Sequence, residues 1–555
     1  MQIANITIHN FRSIKEQPFF LKDYSLLIGA NNSGKTNLID AIRIFYEKDL
    51  KFDSKRDFPK FAPDDQESWI DIEFYLTEEE FINLKNEYLQ PQKTLKVRKY
   101  LKSSDSEKVK ANQSNIFAYE VDKTSNNLFY GAKNISEAKL GNVIYIPDVA
   151  TIDEHTKLTG PSAFRNLLEF VVKKVAKGSG EFQRLIESFE GFDEKFKYEV
   201  SNEGHSLQGL ITDINNEIKE WDTSFDIKIN PIRLEEIIKN LVAPSFGDKN
   251  LIQQNVDINS FGQGFQRHMI YTLIKLSAKY KDSPAKKDKK EFSPDFTLIL
   301  FEEPEAFLHP AQQEILNLSL KEISKVASQQ VIISSHSTHF VSKNISEIPN
   351  ILKLAKSGAQ TIIYQIDEAT LQNTLQENEE LKTILGESKE KKGIELESIR
   401  YCLYLDPDRS CAFFADFVLI CEGLSEKALI DTLINEGKIK LKYSKAYILN
   451  AAGKYDIHRY MNLFEKLGIN HSILFDRDST SEKDTKINEF ILTCKNKFTS
   501  KALSFVGEFE DFLEIPKERD RYKKPLNVMW HYRNGKIEAK KIEELIKIVK
   551  NLIDE

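Results

Sequence analysis

Cysteine is scarce in this chain: four residues, Cys402, Cys411, Cys421 and Cys494, are spread along 555 positions with no paired metal-ligand spacing. Neither a zinc module nor a disulfide scaffold is indicated, and a reducing cytoplasm is the expected location. Long apolar runs are missing as well. No stretch approaches the roughly 20 residues that cross a bilayer, so no membrane partner is expected. The opening MQIANITIHNFRSI alternates like a strand and lacks the basic-then-apolar pattern of a signal peptide. Nor is positive charge in excess. The formal net charge of −7 argues against a wholesale nucleic-acid coat, although a local basic groove is compatible with it. Repeats of roughly 20–50 residues and long heptad arrays are absent, which sets solenoids aside.

What remains is globular. Hydrophobic residues make up 41% and charged residues 29%, and the length predicts roughly two to four domains. Residues 1–150 mix strands and helices, with strands expected at 25–29 and 69–76. Residues 151–245 read as a helical insertion suited to dimerisation, and 246–366 resume the strand-rich text with TLILFEEPEAFLHP and QVIISSHSTHF. Within that part the charged stretch 281–295 reads as an exposed loop. Residues 367–410 form a Glu/Lys/Leu-rich helical linker. In 411–555, strands at 418–421, 446–449 and 472–475 alternate with helices at 426–435 and 457–467. That alternation predicts a parallel sheet with crossover helices. Near the C-terminus IPKERDRYKKPLNVMWHYRNGKIEAKK gathers cations; most such runs are solvated faces, and some touch phosphate.

Two groups of motifs carry chemistry. GANNSGKT fits the phosphate-loop spacing between an apolar strand and a helix. Gly29, Asn31, Asn32 and Ser33 form its turn, Gly34 admits phosphate close to the backbone, Lys35 neutralises charge and the Thr36 hydroxyl can ligate magnesium. In LILFEEPEAFLHP, Glu302 ends a strand and would hold magnesium, and Glu303 would polarise the attacking water. Two adjacent acids there are hard to explain as packing, because unpaired buried carboxylates are costly. His336 in VIISSHS sits at another strand end, where a γ-phosphate sensor is needed. SFGQGFQRHM places Ser260, Gly262, Gly264 and Gln266 at the start of a helix whose N–H groups can meet phosphate.

The second group lies in the C-terminal part. Glu422 in CEGLSE and Asp476 and Asp478 in FDRD fall at carboxyl ends of strands, where open α/β sheets place ligands. Gly423 would permit a sharp turn into the following helix. Asp476 and Asp478 are two apart, so an extended segment points both the same way. Three converging carboxylates need a hard divalent cation, magnesium or manganese, which could activate water at a phosphodiester.

The first group resembles the ATP-binding-cassette ATPases, in which the signature of one subunit closes over the ATP of another; that resemblance implies a homodimer or higher homo-oligomer. IHNFRSIKE resembles the first strand of their DNA-repair branch. The second group, with its strand–helix–strand spacing, resembles the Toprim domain. Together they give the expected fold, an α/β chain with an ABC-type P-loop ATPase, a helical insertion and a C-terminal Toprim domain. That order resembles the OLD (overcoming lysogenization defect) family of ATP-dependent endonucleases, to which the nuclease subunit of the Gabija antiphage system belongs. The resemblance implies that Glu426 joins the metal site, that Glu510 or Asp511 supplies a later carboxylate, and that Lys523 or Lys524 assists cleavage; Glu482 is a weaker candidate. It further implies a Mg-dependent DNA endonuclease using ATP, acting in antiphage defence with a helicase or a reverse-transcriptase/RNA component as a possible partner. The alternative is an ATP-dependent DNA-repair clamp or scaffold with an inactive Toprim domain. A topoisomerase needs a positioned tyrosine in a further domain, and a primase commonly brings a zinc module; neither is visible.

Overall fold

In the computed structural model, residues 1–147 are described apart from 121–122, as are 180, 184, 187, 195–221, 223–227, 247 and 260–279. From residue 292 to 553, all are described except 293, 327, 342–343, 386–392, 441–445 and 478–480. The chain forms two compact units, Met1–Asp148 with Lys289–Glu555, and Val149–Asp288.

The first unit holds three sheets. The first is antiparallel, in the order β2 (Ile14–Phe20), β1 (Gln2–Phe11), β4 (Ser68–Tyr75), β5 (Thr94–Lys102), β6 (Ile116–Glu120), β7 (Lys123–Thr124). The second runs β12 (Gln360–Tyr364), β11 (Ile351–Ser357), β3 (Tyr24–Ile28), β10 (Gln329–Ser334), β9 (Thr297–Glu302), β8 (Asn142–Ile146), parallel except for the edge strand β12. Its central strands are buried along their whole length, which is why YSLLI, TLILFE and QQVIIS read as near-continuous runs. Helix Lys35–Phe45 joins both sheets in one core, with Leu38, Ile42 and Phe45 packed among Ile6, Phe74, Leu298 and Leu352. The third sheet is wholly parallel, β14 (Ala446–Asn450), β13 (Phe417–Cys421), β15 (His471–Arg477), β16 (Thr499–Val506), and its core is closed by helices Leu424–Asn435 and Ala539–Ile553.

The second and third sheets share a seam. The Tyr364 ring, at the end of β12, lies against Gly468, where a Cβ would come within 2.4 Å of it. The same ring meets Phe498 edge-on at 5.7 Å. Lys353 in β11 is buried and donates to the Phe413 carbonyl just ahead of β13. The expected linker is two helices, Glu368–Ile384 and Gly393–Tyr404.

One expectation changes. Phe292 does not belong to an exposed loop: it is 2% exposed and stacks on Tyr130 at 6.0 Å, a phenylalanine drawn into the core beside a charged stretch. The remainder of 281–291 lies outside the described residues, as does most of the helical insertion. In the second unit the described helices include Leu207–Glu217 and Gln263–Lys279, the latter preceded by exposed Ser260 and Gly262. No helix among the described residues is long and apolar enough to cross a membrane.

Candidate active sites

The turn between β3 and helix Lys35–Phe45 is shaped by two glycines. Gly34 has φ +108, and a Cβ there would stand 2.3 Å from the Thr361 hydroxyl; one at Gly29, with φ +150, would stand 2.3 Å from the Leu354 carbonyl. The loop is therefore wedged against β11 and β12, and only glycine fits. A cleft of about 340 Å³ opens over it, lined by Asn32, Lys35, Thr36, Glu302, Glu303 and His336, with Asn31 and Gly34 also on its wall. Lys35 Nζ donates to the Gly29 and Ala30 carbonyls at 2.9 and 3.1 Å. These are bonds that a phosphate could replace.

Glu302 and Ser334 are register partners at the ends of β9 and β10, so both strands deliver polar groups to one edge. Glu302 is 7% exposed and accepts from the Tyr145 hydroxyl at 2.5 Å. Burial and the Glu302 carboxylate raise the Tyr145 phenol well above its usual range, so it stays a donor. Glu303 turns out of the strand at φ +43, a strained value for a residue with a side chain. His336 Nε2 lies 3.7 Å from Glu303 Oε1. The His336 backbone N–H donates to Glu305 at 2.6 Å, and burial raises the Glu305 pKa against that bond. Sequence reading missed Tyr145, Thr361 and Glu305. Only Glu305 left a signal, as the third acid of FEEPE. Ser33 is buried in the loop, its carbonyl accepting from Thr361 at 2.9 Å. Ser260, Gly262, Gly264 and Gln266 belong to the second unit, where Gln266 Nε2 donates to the Phe261 carbonyl at 2.8 Å.

At the carboxyl edge of the third sheet, Glu422 directly follows β13 and Asp476 lies near the end of neighbouring β15. The Asp476 N–H donates to Glu422 Oε2 at 3.0 Å, and Asp476 Oδ2 accepts from the Phe509 N–H at 3.1 Å. Glu426 is 3% exposed and accepts from the Gly423 N–H at 3.1 Å. Burial, then the charges of Glu422 and Glu510, push the Glu426 carboxyl up to about 7. Glu510 is 2% exposed, and its Oε1 is buried with no hydrogen-bond partner among the described residues. An acceptor stranded beside mutually repelling carboxylates is the environment a hard divalent cation relieves, so the donor set fits one. Among the described residues no three side chains already form a metal cage. Glu426 is turned back as a helix cap, and Asp478 lies outside the described residues.

The open alternatives take different positions. Asp511 pairs with Lys517 at 2.8 Å and caps the Glu508 N–H, whereas Glu510 is buried and its charge adds to those that raise the Glu426 pKa. Lys523 is exposed, 3.7 Å from Asp520. Lys524 Nζ donates to Glu508 at 2.7 Å, and Glu510 and Asp476 add to the charges that raise its pKa against burial. Glu508 is thus a further residue of the site that sequence reading passed over. Glu482 is exposed and pairs with Lys486 at 2.7 Å. Gly423 needs no special turn, since its φ of −134 is open to any residue; it provides space, a Cβ there standing 3.1 Å from Glu426 Oε2.

Residues 1–341 match the AAA ATPase domain family. The chain belongs to it. Residues 413–478 of this AAA ATPase match the Toprim domain of overcoming-lysogenization-defect-like proteins. These two domains imply nucleotide and divalent-metal use. The AAA ATPase is 25% identical to the Old nuclease of Escherichia phage P2 over 93% of its length and 86% of that protein's. It is 22% identical to the endonuclease GajA of Bacillus cereus strain VD045, over 88% of its own length and 76% of the relative's. The SMC head domain from Thermotoga maritima aligns with 66% of the AAA ATPase and 100% of itself, at 13% identity and a TM-score of 0.30.

Proposed function

We propose that the chain is a magnesium-dependent DNA endonuclease controlled by its own ATPase, working in bacterial antiphage defence. The observation that carries this reading is the convergence of Glu422, Glu426, Asp476 and Glu510 at one sheet edge, in a chain with a phosphate loop. Its relatives, named a nuclease and an endonuclease, support it.

Glu422 and Asp476, with Asp478, would hold the metal, and Glu426 and Glu510 would complete the set once Glu426 leaves the Gly423 N–H. Bound there, magnesium or manganese would lower the pKa of a water and stabilise the leaving oxygen of a phosphodiester. The Asp476 backbone fixes Glu422, and the Phe509 N–H fixes Asp476, so both carboxylates are aimed before a cation arrives. Lys524, held by Glu508, would stabilise the charge that accumulates on the scissile phosphate.

In the ATPase, Lys35 and Thr36 would bind ATP and magnesium with Glu302, Glu303 would orient water, and His336 would contact the γ-phosphate. Two copies would pair head to tail, the Ser260–Gln266 stretch of each closing on the other's nucleotide. The test is incubation of purified protein and magnesium with supercoiled plasmid. Wild type is expected to yield nicked or linear DNA. Asp476→Ala should abolish cutting and retain ATP binding, and cutting that survived this substitution would overturn the proposal.

A further inference from the structure

Apart from Lys524, and Lys517 which pairs with Glu508 and Asp511, the cationic C-terminal stretch builds a surface of its own. Residues 515–541 hold nine Lys or Arg and three Asp or Glu in a chain of net charge −7. Helix Lys524–Arg533 buries Val528 completely while leaving Leu526 69% and Trp530 50% exposed; Tyr522, just ahead of it, is 89% exposed. Core packing explains Val528 but not these three. An outward tryptophan and leucine four residues apart make a continuous apolar strip along the helix.

Trp530 and Leu526 line a groove of about 510 Å³, shared with Lys523, Arg533 and a single acid, Glu518. Lys536 Nζ stands 4.0 Å from the Trp530 ring centroid, so another cation closes the rim. The groove adjoins the carboxylate site in the chain, since Lys523 on its wall is followed by Lys524, whose Nζ donates to Glu508.

We propose that this face is a single-stranded DNA subsite, in which Trp530 stacks on an unpaired base and Lys523, Arg533 and Lys536 hold the adjoining phosphates. An aromatic floor accepts the face of any base, and cations around it match a phosphate chain. Paired bases in a duplex have no free face to offer. A protein anchored by apolar contact alone would gain nothing from the cationic rim. The inference rests on the reading of the Toprim carboxylates as a DNA-cutting site, and it narrows the substrate to DNA with an unpaired segment beside the cut.

The test uses the full-length protein in metal-free buffer with two probes, a short oligothymidylate and a blunt duplex of similar length, read by fluorescence anisotropy. Trp530→Ala is expected to weaken oligothymidylate binding about tenfold or more, with Trp530→Phe close to wild type. Arg533→Ala should reduce the salt dependence of binding. Duplex affinity should change little in the tryptophan variants. Equal oligothymidylate affinity for wild type and Trp530→Ala overturns the proposal. So does a change of oligomeric mass with oligothymidylate affinity intact, which would mark the face as a protein interface. Plasmid cleavage by the same preparations separates the two readings. Cleavage without Trp530-dependent strand binding removes the subsite alone, and strand binding without any cleavage removes the nuclease reading alone.

Discussion

Arg459 and Glu397 meet in a bidentate ion pair, 2.7 Å at both contacts, with side chains 5% and 1% exposed. Glu397 belongs to the linker helix Gly393–Tyr404 and Arg459 to the Toprim helix Ile457–Lys466. Asp456 adds a third contact at 3.0 Å, and the Tyr401 hydroxyl donates to the Arg459 carbonyl at 3.1 Å. Removing one member of such a pair strands the other charge. Arg459→Ala is therefore expected to cost about 3–5 kcal/mol in urea unfolding, and Arg459→Met with Glu397→Leu less than that. A single variant milder than the double would contradict the argument.

The two neighbouring lysines should separate in steady-state kinetics. Lys524→Ala is expected to lower kcat for plasmid cleavage by about 10²–10³-fold, the usual loss on removing a group that stabilises developing charge. Lys523→Ala should act on KM with kcat within about threefold, since Lys523 faces solvent and the scale of a surface contact applies. The reverse pattern would assign the role to Lys523.

Gly34→Ala tests the wedge beneath the phosphate loop. With φ at +108 and the Thr361 hydroxyl in the way, the variant should lose ATP binding by calorimetry and about 1–3 kcal/mol of stability. Thr361→Gly alone should weaken the same loop, because it removes the hydroxyl that donates to the Ser33 carbonyl. Unchanged ATP binding and stability in Gly34→Ala would show that the loop is held in another way.

Acid should weaken the Toprim half. His471 donates from Nδ1 to the Ile469 carbonyl and accepts at Nε2 from the Thr499 hydroxyl, a neutral ring that burial holds at about 4. Its folded pKa lies below the unfolded value of about 6.5, so its stabilisation is complete above that pH and is lost as pH falls toward 4. Melting across that window should show a loss of about 1.4 kcal/mol per pH unit from this group, and His471→Gln should flatten the slope. An unchanged slope in that variant would exclude His471 as the source.

Legibility in the sequence followed the range of the interactions. The phosphate loop and the strands that end in Glu302, Glu422 and Asp476 were readable, because an apolar run that stops at a carboxylate is a local pattern. The order β14–β13–β15–β16 was not, since pairing partners are chosen by packing between segments far apart in the chain. For the same reason Tyr145 and Thr361 escaped notice; each reaches its site residue across more than a hundred positions. Glu510 and Asp511 are adjacent acids with no local difference between them. What distinguishes them is that helix Phe509–Phe512 buries one and offers the other to Lys517.

The seam at Tyr364 also constrains how such a chain can be recombined. A Toprim domain imported from a relative would have to bring a glycine for the Tyr364 ring to rest on, an aromatic at the place of Phe498 to meet that same ring, and a carbonyl for Lys353. Grafts that cut between the linker helices and the third sheet would separate Glu397 from Arg459. Functional chimaeras should therefore tolerate crossovers on either side of the block that runs from β11 to Phe498, and fail inside it.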